Sequence, residues 1–179
     1  MFFLDECHLV WCDVCGYVWA KKRDRAIAPV ENDKERQTYY GALDIKTKEL
    51  IVKPFQAGNG ECTVAYIKFL QKQSPGQRLV IIWDGAKYHQ FGAMQEYLQV
   101  INAGLPKDQW PVTCIKLAPN APEQNPIESA WLKVKNYVRQ NYYLADTFTY
   151  VKSLFIQATK ILTFNFDNLN VYIENLHLI

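Results

Sequence analysis

An α/β fold, a mixed five-stranded sheet flanked by helices, is predicted by three observations. Two apolar runs, Phe2-Phe-Leu-Asp5 and Leu79-Val-Ile-Ile-Trp-Asp84, read as short buried strands, each delivering a carboxylate where a sheet edge meets solvent. A polar break at Lys46-Thr-Lys48 between two strand-like segments reads as a hairpin. From Asn59 onward, helical spacing alternates with strand-like runs, the pattern of crossover units that lay helices over a sheet.

The elements follow in order. Phe2 to Trp11 and Gly16 to Lys21 read as two strands joined by a turn, followed by a charged loop from Lys22 to Arg36. Gln37 to Ile45 and Glu49 to Phe55 flank the polar break, so the chain opens as an antiparallel three-stranded meander. Val64, Ile67 and Leu70, with Ala65 and Phe69 beside them, form the apolar side of a helix from Asn59 to Leu70, and Ser74-Pro-Gly76 stops it. Leu79 to Trp83 is nearly all apolar, which predicts a central, partly parallel strand buried on both faces. Gln90 to Ile101 is the next helix and Val112 to Leu117 the next strand. From Asn125 to about Tyr143, Ile127, Trp131, Val134 and Val138 make one stripe at helical spacing. A helix after Asp146 buries Val151, Leu154, Phe155, Ala158 and Leu162, and a short one closes the chain near Leu169 to Leu176. The order β-β-β-α-β-α-β-α is the ribonuclease H-like order.

Composition narrows the class. The 179 residues, 49% hydrophobic, suit a single domain over 1–179 with a real core. The apolar N-terminus breaks at Asp5 and Glu6, too short for a signal or a membrane span, so a cytoplasmic protein is expected. Five cysteines, an odd number, argue against a disulfide framework and for reduced thiols. The net charge of +2 is uninformative, but Lys21-Lys-Arg-Asp-Arg25 is a basic cluster, and Lys133, Lys135 and Arg139 recur along one predicted helix. Basic residues beside acids offset the charge of a phosphodiester backbone; the competing reading is an ordinary solvated face.

The chemistry turns on whether Asp5, Asp84 and Glu128 converge. If the first strand and the Leu79 strand are neighbours, the two aspartates lie together at the sheet centre, and Glu128 enters from the helix after the Val112 strand. Carboxylate oxygens are the hard ligands Mg²⁺ and Mn²⁺ prefer. Two such ions, about 3.5 to 4 Å apart, activate an attacking oxygen and stabilise a leaving one, with Asp5 the expected bridging ligand. Glu128 has a rival role: Asn125-Pro-Ile-Glu128 is also a helix start with an Asn N-cap, Pro at the first position and Glu closing a capping box.

Other residues carry paired readings. Cys12 and Cys15, with Cys7 and His8 nearby, could ligate zinc or be small buried thiols. His89 could position a water or touch the scissile phosphate, or be a structural histidine. Trp131 and Tyr137 could stack on bases, although Trp131 sits on the apolar stripe and reads as core. Lys87, beside the active-site strand, is a weak candidate phosphate contact.

Phe3-Leu-Asp-Glu6, Ile82-Trp-Asp-Gly-Ala-Lys-Tyr-His89 and Leu117-Ala-Pro-Asn-Ala-Pro-Glu-Gln-Asn-Pro-Ile-Glu-Ser-Ala-Trp131 together resemble the DDE catalytic domain of insertion-sequence transposases in the Tc/mariner superfamily. The resemblance covers nearly the whole chain. It implies a ribonuclease H-like fold, two Mg²⁺ or Mn²⁺ ions, and cleavage and strand transfer of double-stranded transposon-end and target DNA in a prokaryotic nucleoid. By motif, the catalytic, metal-holding acids are Asp5, Asp84 and Glu128; Lys87, His89, Lys133, Lys135 and Arg139 are candidate DNA contacts. The family expects two ends paired through a dimer. Gly85 departs from the Asn that usually follows the second Asp. Such transposases also carry an N-terminal helix-turn-helix reader, absent ahead of Asp5 here, so end recognition is expected from a separate subunit or an upstream fused half. A structure-selective nuclease or resolvase of the same fold, or a catalytically inactive DNA-binding module, is the alternative.

Overall fold

In a computed structural model the chain is described over residues 1–11, 35–86, 89, 92–118, 124–141, 146–167, 169 and 172. One sheet contains β1 (Phe2–Val10), β2 (Arg36–Asp44), β3 (Leu50–Phe55), β4 (Leu79–Trp83) and β5 (Val112–Lys116), in the order β3-β2-β1-β4-β5. The first three pair antiparallel, and β4 lies parallel between β1 and β5. This matches the expected meander joined to parallel strands, with β4 buried on both sides as its unbroken apolar run requires. The expected strand from Gly16 to Lys21 and the basic cluster at 21–25 lie outside the described residues.

Among the described residues four α-helices cover the sheet: α1 (Gly60–Gln73), α2 (Ala93–Ile101), α3 (Pro126–Gln140) and α4 (Phe148–Ile161). The Asn59 side chain caps α1 by accepting the Cys62 N–H at 2.9 Å, and Thr147 caps α4 through the Tyr150 N–H. The buried face of α1 is Thr63, Tyr66, Ile67 and Leu70, so Ala65, expected beside the core, faces out. The stripe on α3 is buried as its spacing predicts. The expected C-terminal helix falls largely outside the described residues, but Leu169 is buried and the Tyr172 hydroxyl donates to the Gln124 carbonyl at 2.9 Å.

Strand alternation sorts the core into two layers. Phe3, Cys7 and Leu9 of β1, with Tyr39 and Leu43 of β2, pack against α3 and α4. Phe2, Leu4, Tyr40, Ala42, Ile81 and Trp83 pack on the opposite face against α1 and α2. The same alternation sends Asp5 toward α3 and its neighbour Glu6 toward the other layer. Pro54, which has no N–H to give a ladder, sits in β3 at the sheet edge, where the strand needs only one partner. Among the described residues no helix is long and apolar enough to cross a membrane.

Candidate active site

Neighbouring parallel strands bring the two aspartates together. β1 pairs with β4 at Phe2↔Ile81 and Phe3↔Ile82, and Asp5 and Asp84 each follow two residues after that second pair. Asp84 follows the last residue of β4, at the carboxyl end of a parallel strand, where open α/β sheets present ligand sites. Its side chain is 56% exposed, and its Oδ1 accepts the Ala86 N–H at 3.0 Å. Asp5 lies in mid-strand, because β1 continues to Val10 by pairing with β2.

Glu128 comes from the first turn of α3, which has Asn125 as N-cap and Pro126 inside its start. Half of the expected capping box is missing. The Asn125 side chain makes no cap hydrogen bond, and its Oδ1, on a residue 3% exposed, has no partner among the described residues. The Glu128 N–H donates to the Asn125 carbonyl instead. Electrostatics link Glu128 to Asp5: burial pushes the Asp5 carboxyl up to about 8 from its ordinary 3.8, and the charges of Glu6, Asp84 and Glu128 each push it the same way. Asp84 and Glu128 therefore both act on Asp5.

Trp131 is in the core, as its stripe predicts, and is also polar at this site. Its indole Nε1–H donates to Asp5 Oδ2 at 3.2 Å while the ring stacks on Phe155. Room for the ring comes from Gly41, which lies opposite Asp5 in the antiparallel ladder. A Cβ on Gly41 would come within 2.3 Å of the indole. Gly41→Ala is expected to cost about 1–3 kcal/mol by overpacking, read as a lower denaturant midpoint at unchanged slope.

Sequence reasoning passed over Glu6, which ends up in a buried cluster on the other face of β1. His89 Nε2 lies 3.1 Å from Glu6 Oε1 and His89 Nδ1 lies 3.2 Å from Asp84 Oδ1. The His89 side chain has no exposed surface, Glu6 retains 5%, and the imidazole stacks on Trp83 at 4.5 Å between ring centroids. His89 thus lies behind Asp84 at ion-pair distance. The one legible sign was an acid next to Asp5 that strand alternation must turn inward.

A Cβ on Gly85 would meet only the flexible end of Lys116, Cε at 2.7 Å and Nζ at 3.2 Å, which can swing aside, so nothing in the structure requires glycine there. On α3, Glu128, Lys135 and Arg139 are separated by seven and four residues and share one helical stripe, and Lys135 Nζ reaches the His8 carbonyl of β1 at 3.3 Å. Lys133 lies off that stripe and donates to the Thr163 carbonyl at 2.7 Å. Tyr137 is half-buried against the core. Cys7 is buried while His8 is exposed and contacts Thr38, so the two occupy opposite faces of β1. Lys87, Cys12 and Cys15 lie outside the described residues.

Among the described residues, no three His, Cys, Asp or Glu side chains are gathered closely enough to enclose an ion. The donor set still fits a hard divalent cation. Three carboxylates supply only oxygen, and the field that raises Asp5 is one a cation would relieve.

The DDE superfamily endonuclease family model matches residues 1–149. Among curated proteins none matches the chain. The solved "Mos1 transposase paired-end complex with left transposon end" shares the fold at a TM-score of 0.64 and 13% identity, over 98% of this chain and 53% of that one. The Mos1 strand transfer complex gives 0.62 and 13%, over 98% and 52%. A simian T-cell lymphotropic virus intasome, solved with the PP2A regulatory subunit B56 gamma, gives 0.58 and 7%, over 86% and 46%. The chain spans about half the length of these solved chains, and the sheet order with its flanking helices is the ribonuclease H-like fold they share. With a family model that covers residues 1–149 of 179, the chain belongs to the DDE superfamily endonucleases.

Proposed function

We propose that this chain is the catalytic domain of a transposase that cuts DNA phosphodiesters at transposon ends and joins the freed 3′-hydroxyl to target DNA. Asp5, Asp84 and Glu128 are the catalytic acids and hold two Mg²⁺ or Mn²⁺ ions. One observation carries the reading: Asp5 and Asp84 each lie two residues beyond the Phe3↔Ile82 pair that joins β1 to β4, and both Asp84 and Glu128 raise the proton affinity of Asp5. Bound divalent ions supply the activation of the attacking oxygen and the neutralisation of the leaving one.

The chain's own residues do the rest. Trp131 and His89 orient Asp5 and Asp84. Lys135 and Arg139 extend along α3 from Glu128 and offset phosphate charge beside the cut, so their removal should lower the salt dependence of DNA binding. The solved structures named above include a transposase paired-end complex with a left transposon end and a strand transfer complex, which supports double-stranded DNA as the partner here. Pairing of two ends through a homodimer, and end recognition by a separate or fused helix-turn-helix unit, belong to the same proposal.

The assay is incubation of a transposon-end duplex carrying a 3′-hydroxyl with plasmid target and Mn²⁺. Joined products support a transposase; nicks without joining favour a nuclease or resolvase; neither product, with DNA binding retained, points to an inactive module. Mg²⁺ and Mn²⁺ are expected to raise the melting temperature, since a ligand that binds only the folded state stabilises it. Ca²⁺ is expected to bind without supporting cleavage. Identical melting curves with and without metal at high concentration would mean that the acids hold no ion.

A further inference from the structure

We propose that Trp131 is a positioning residue for Asp5: its indole N–H sets the orientation of the carboxylate and ties the strand bearing the first acid to the helix bearing Glu128. The inference rests on the reading of Asp5 as a metal ligand.

The apolar stripe of α3 asks only for a large hydrophobic side chain at this position, a role phenylalanine or leucine could fill. An indole adds one hydrogen-bond donor, which must find an acceptor when buried. Trp131 is 6% exposed, and its acceptor is the Asp5 carboxylate at 3.2 Å. The contact is built from both sides. Gly41, directly across the ladder from Asp5, leaves open the space the ring crosses, with a Cβ position 2.3 and 2.4 Å from two of its carbons. Phe155 of α4 holds the ring from behind, stacked at 6.0 Å and 23°.

Spacing gives the contact its consequence. Trp131 lies three residues after Glu128, so both project from one side of α3. Anchoring the indole on Asp5 therefore sets where the first turn of α3 stands relative to β1, and with it the separation of the first and third acids. Partners that hydrogen-bond a metal-ligating carboxylate restrict its rotation and tune its affinity, and their loss typically costs about 10- to 100-fold in metal binding.

The test compares wild type with Trp131→Phe and with site-specific incorporation of 3-benzothienylalanine at position 131, which keeps the bicyclic shape but replaces the N–H with sulfur. Mn²⁺ binding is measured by titration calorimetry, the Mn²⁺ dependence of plasmid nicking is measured in parallel, and Asp5→Asn is the control. The expected result for the benzothienyl variant is Mn²⁺ affinity weakened about tenfold, with a matching shift in the Mn²⁺ needed for nicking and a melting temperature near wild type. If Trp131→Phe fails to fold, the isosteric variant still carries the comparison. Unchanged Mn²⁺ affinity in that variant, with binding lost in Asp5→Asn, overturns the positioning role and leaves the metal site standing. Unchanged binding in Asp5→Asn overturns both.

Discussion

Asp84→Asn and Asp5→Asn are each expected to lower metal-dependent DNA nicking at least about a thousandfold while leaving the fold intact. Asparagine at 84 keeps an Oδ1 that can accept from the Ala86 N–H and face His89, so the loop after β4 should hold its shape. Asparagine at 5 can still accept from the Trp131 indole. Asp84→Asn removes a charge that raises Asp5, and Asp5→Asn removes a carboxyl that burial holds protonated well above its ordinary range, so stability should stay level or rise. Nicking assays and melting curves on the same preparations check both halves. Retained nicking in Asp84→Asn, or a large fall in melting temperature for both variants, would contradict the assignment.

In the metal-free protein, stability is expected to fall as pH rises from about 4 to about 8, and Asp5→Asn should flatten that fall. The Asp5 carboxyl is raised from its ordinary 3.8 to about 8, first by burial and then by neighbouring acids. Below the lower value both folded and unfolded chains hold the proton, so Asp5 adds no pH dependence. Between the two, the unfolded chain has released it and the folded chain has not, so stability declines with pH until the folded carboxyl also ionises near 8. The difference amounts to a few kcal/mol, at about 1.4 kcal/mol per pKa unit. Mg²⁺ should reverse it at the alkaline end, releasing a proton as it binds near neutral pH. Urea melts in EDTA at pH 4, 6 and 8, for wild type and Asp5→Asn, measure the effect; parallel pH dependence in the two proteins would show that Asp5 is not the group under strain.

Much of this arrangement was legible from local pattern. The apolar run into Asp84 is a buried parallel strand, and the spacing from Ile127 to Val138 is the buried face of α3. The proximity of Asp5 and Asp84 was conditional on strand adjacency, which no local pattern encodes; the register of β1 on β4 supplies it. Glu6 and His89 are 83 residues apart, so their contact exists only once β1, Trp83 and the segment after Asp84 are assembled. The polar role of Trp131 was hidden because the same ring satisfies the apolar stripe, and its acceptor lies 126 residues away. Gly41 is an empty position in the sequence, and its meaning is the indole that fills it. Glu128 was ambiguous for a physical reason: a first-turn glutamate suits both a helix N-terminus and a cation. The Asn125 side chain makes no cap, and the charge of Glu128 acts on Asp5.

The most direct test of the central claim is anomalous diffraction from crystals of the chain soaked in Mn²⁺. A manganese peak liganded by Asp5 together with Asp84 or Glu128 is expected, and its loss in Asp5→Asn crystals. Saturating Mn²⁺ with no peak at these acids, or a peak that survives Asp5→Asn, would contradict that claim.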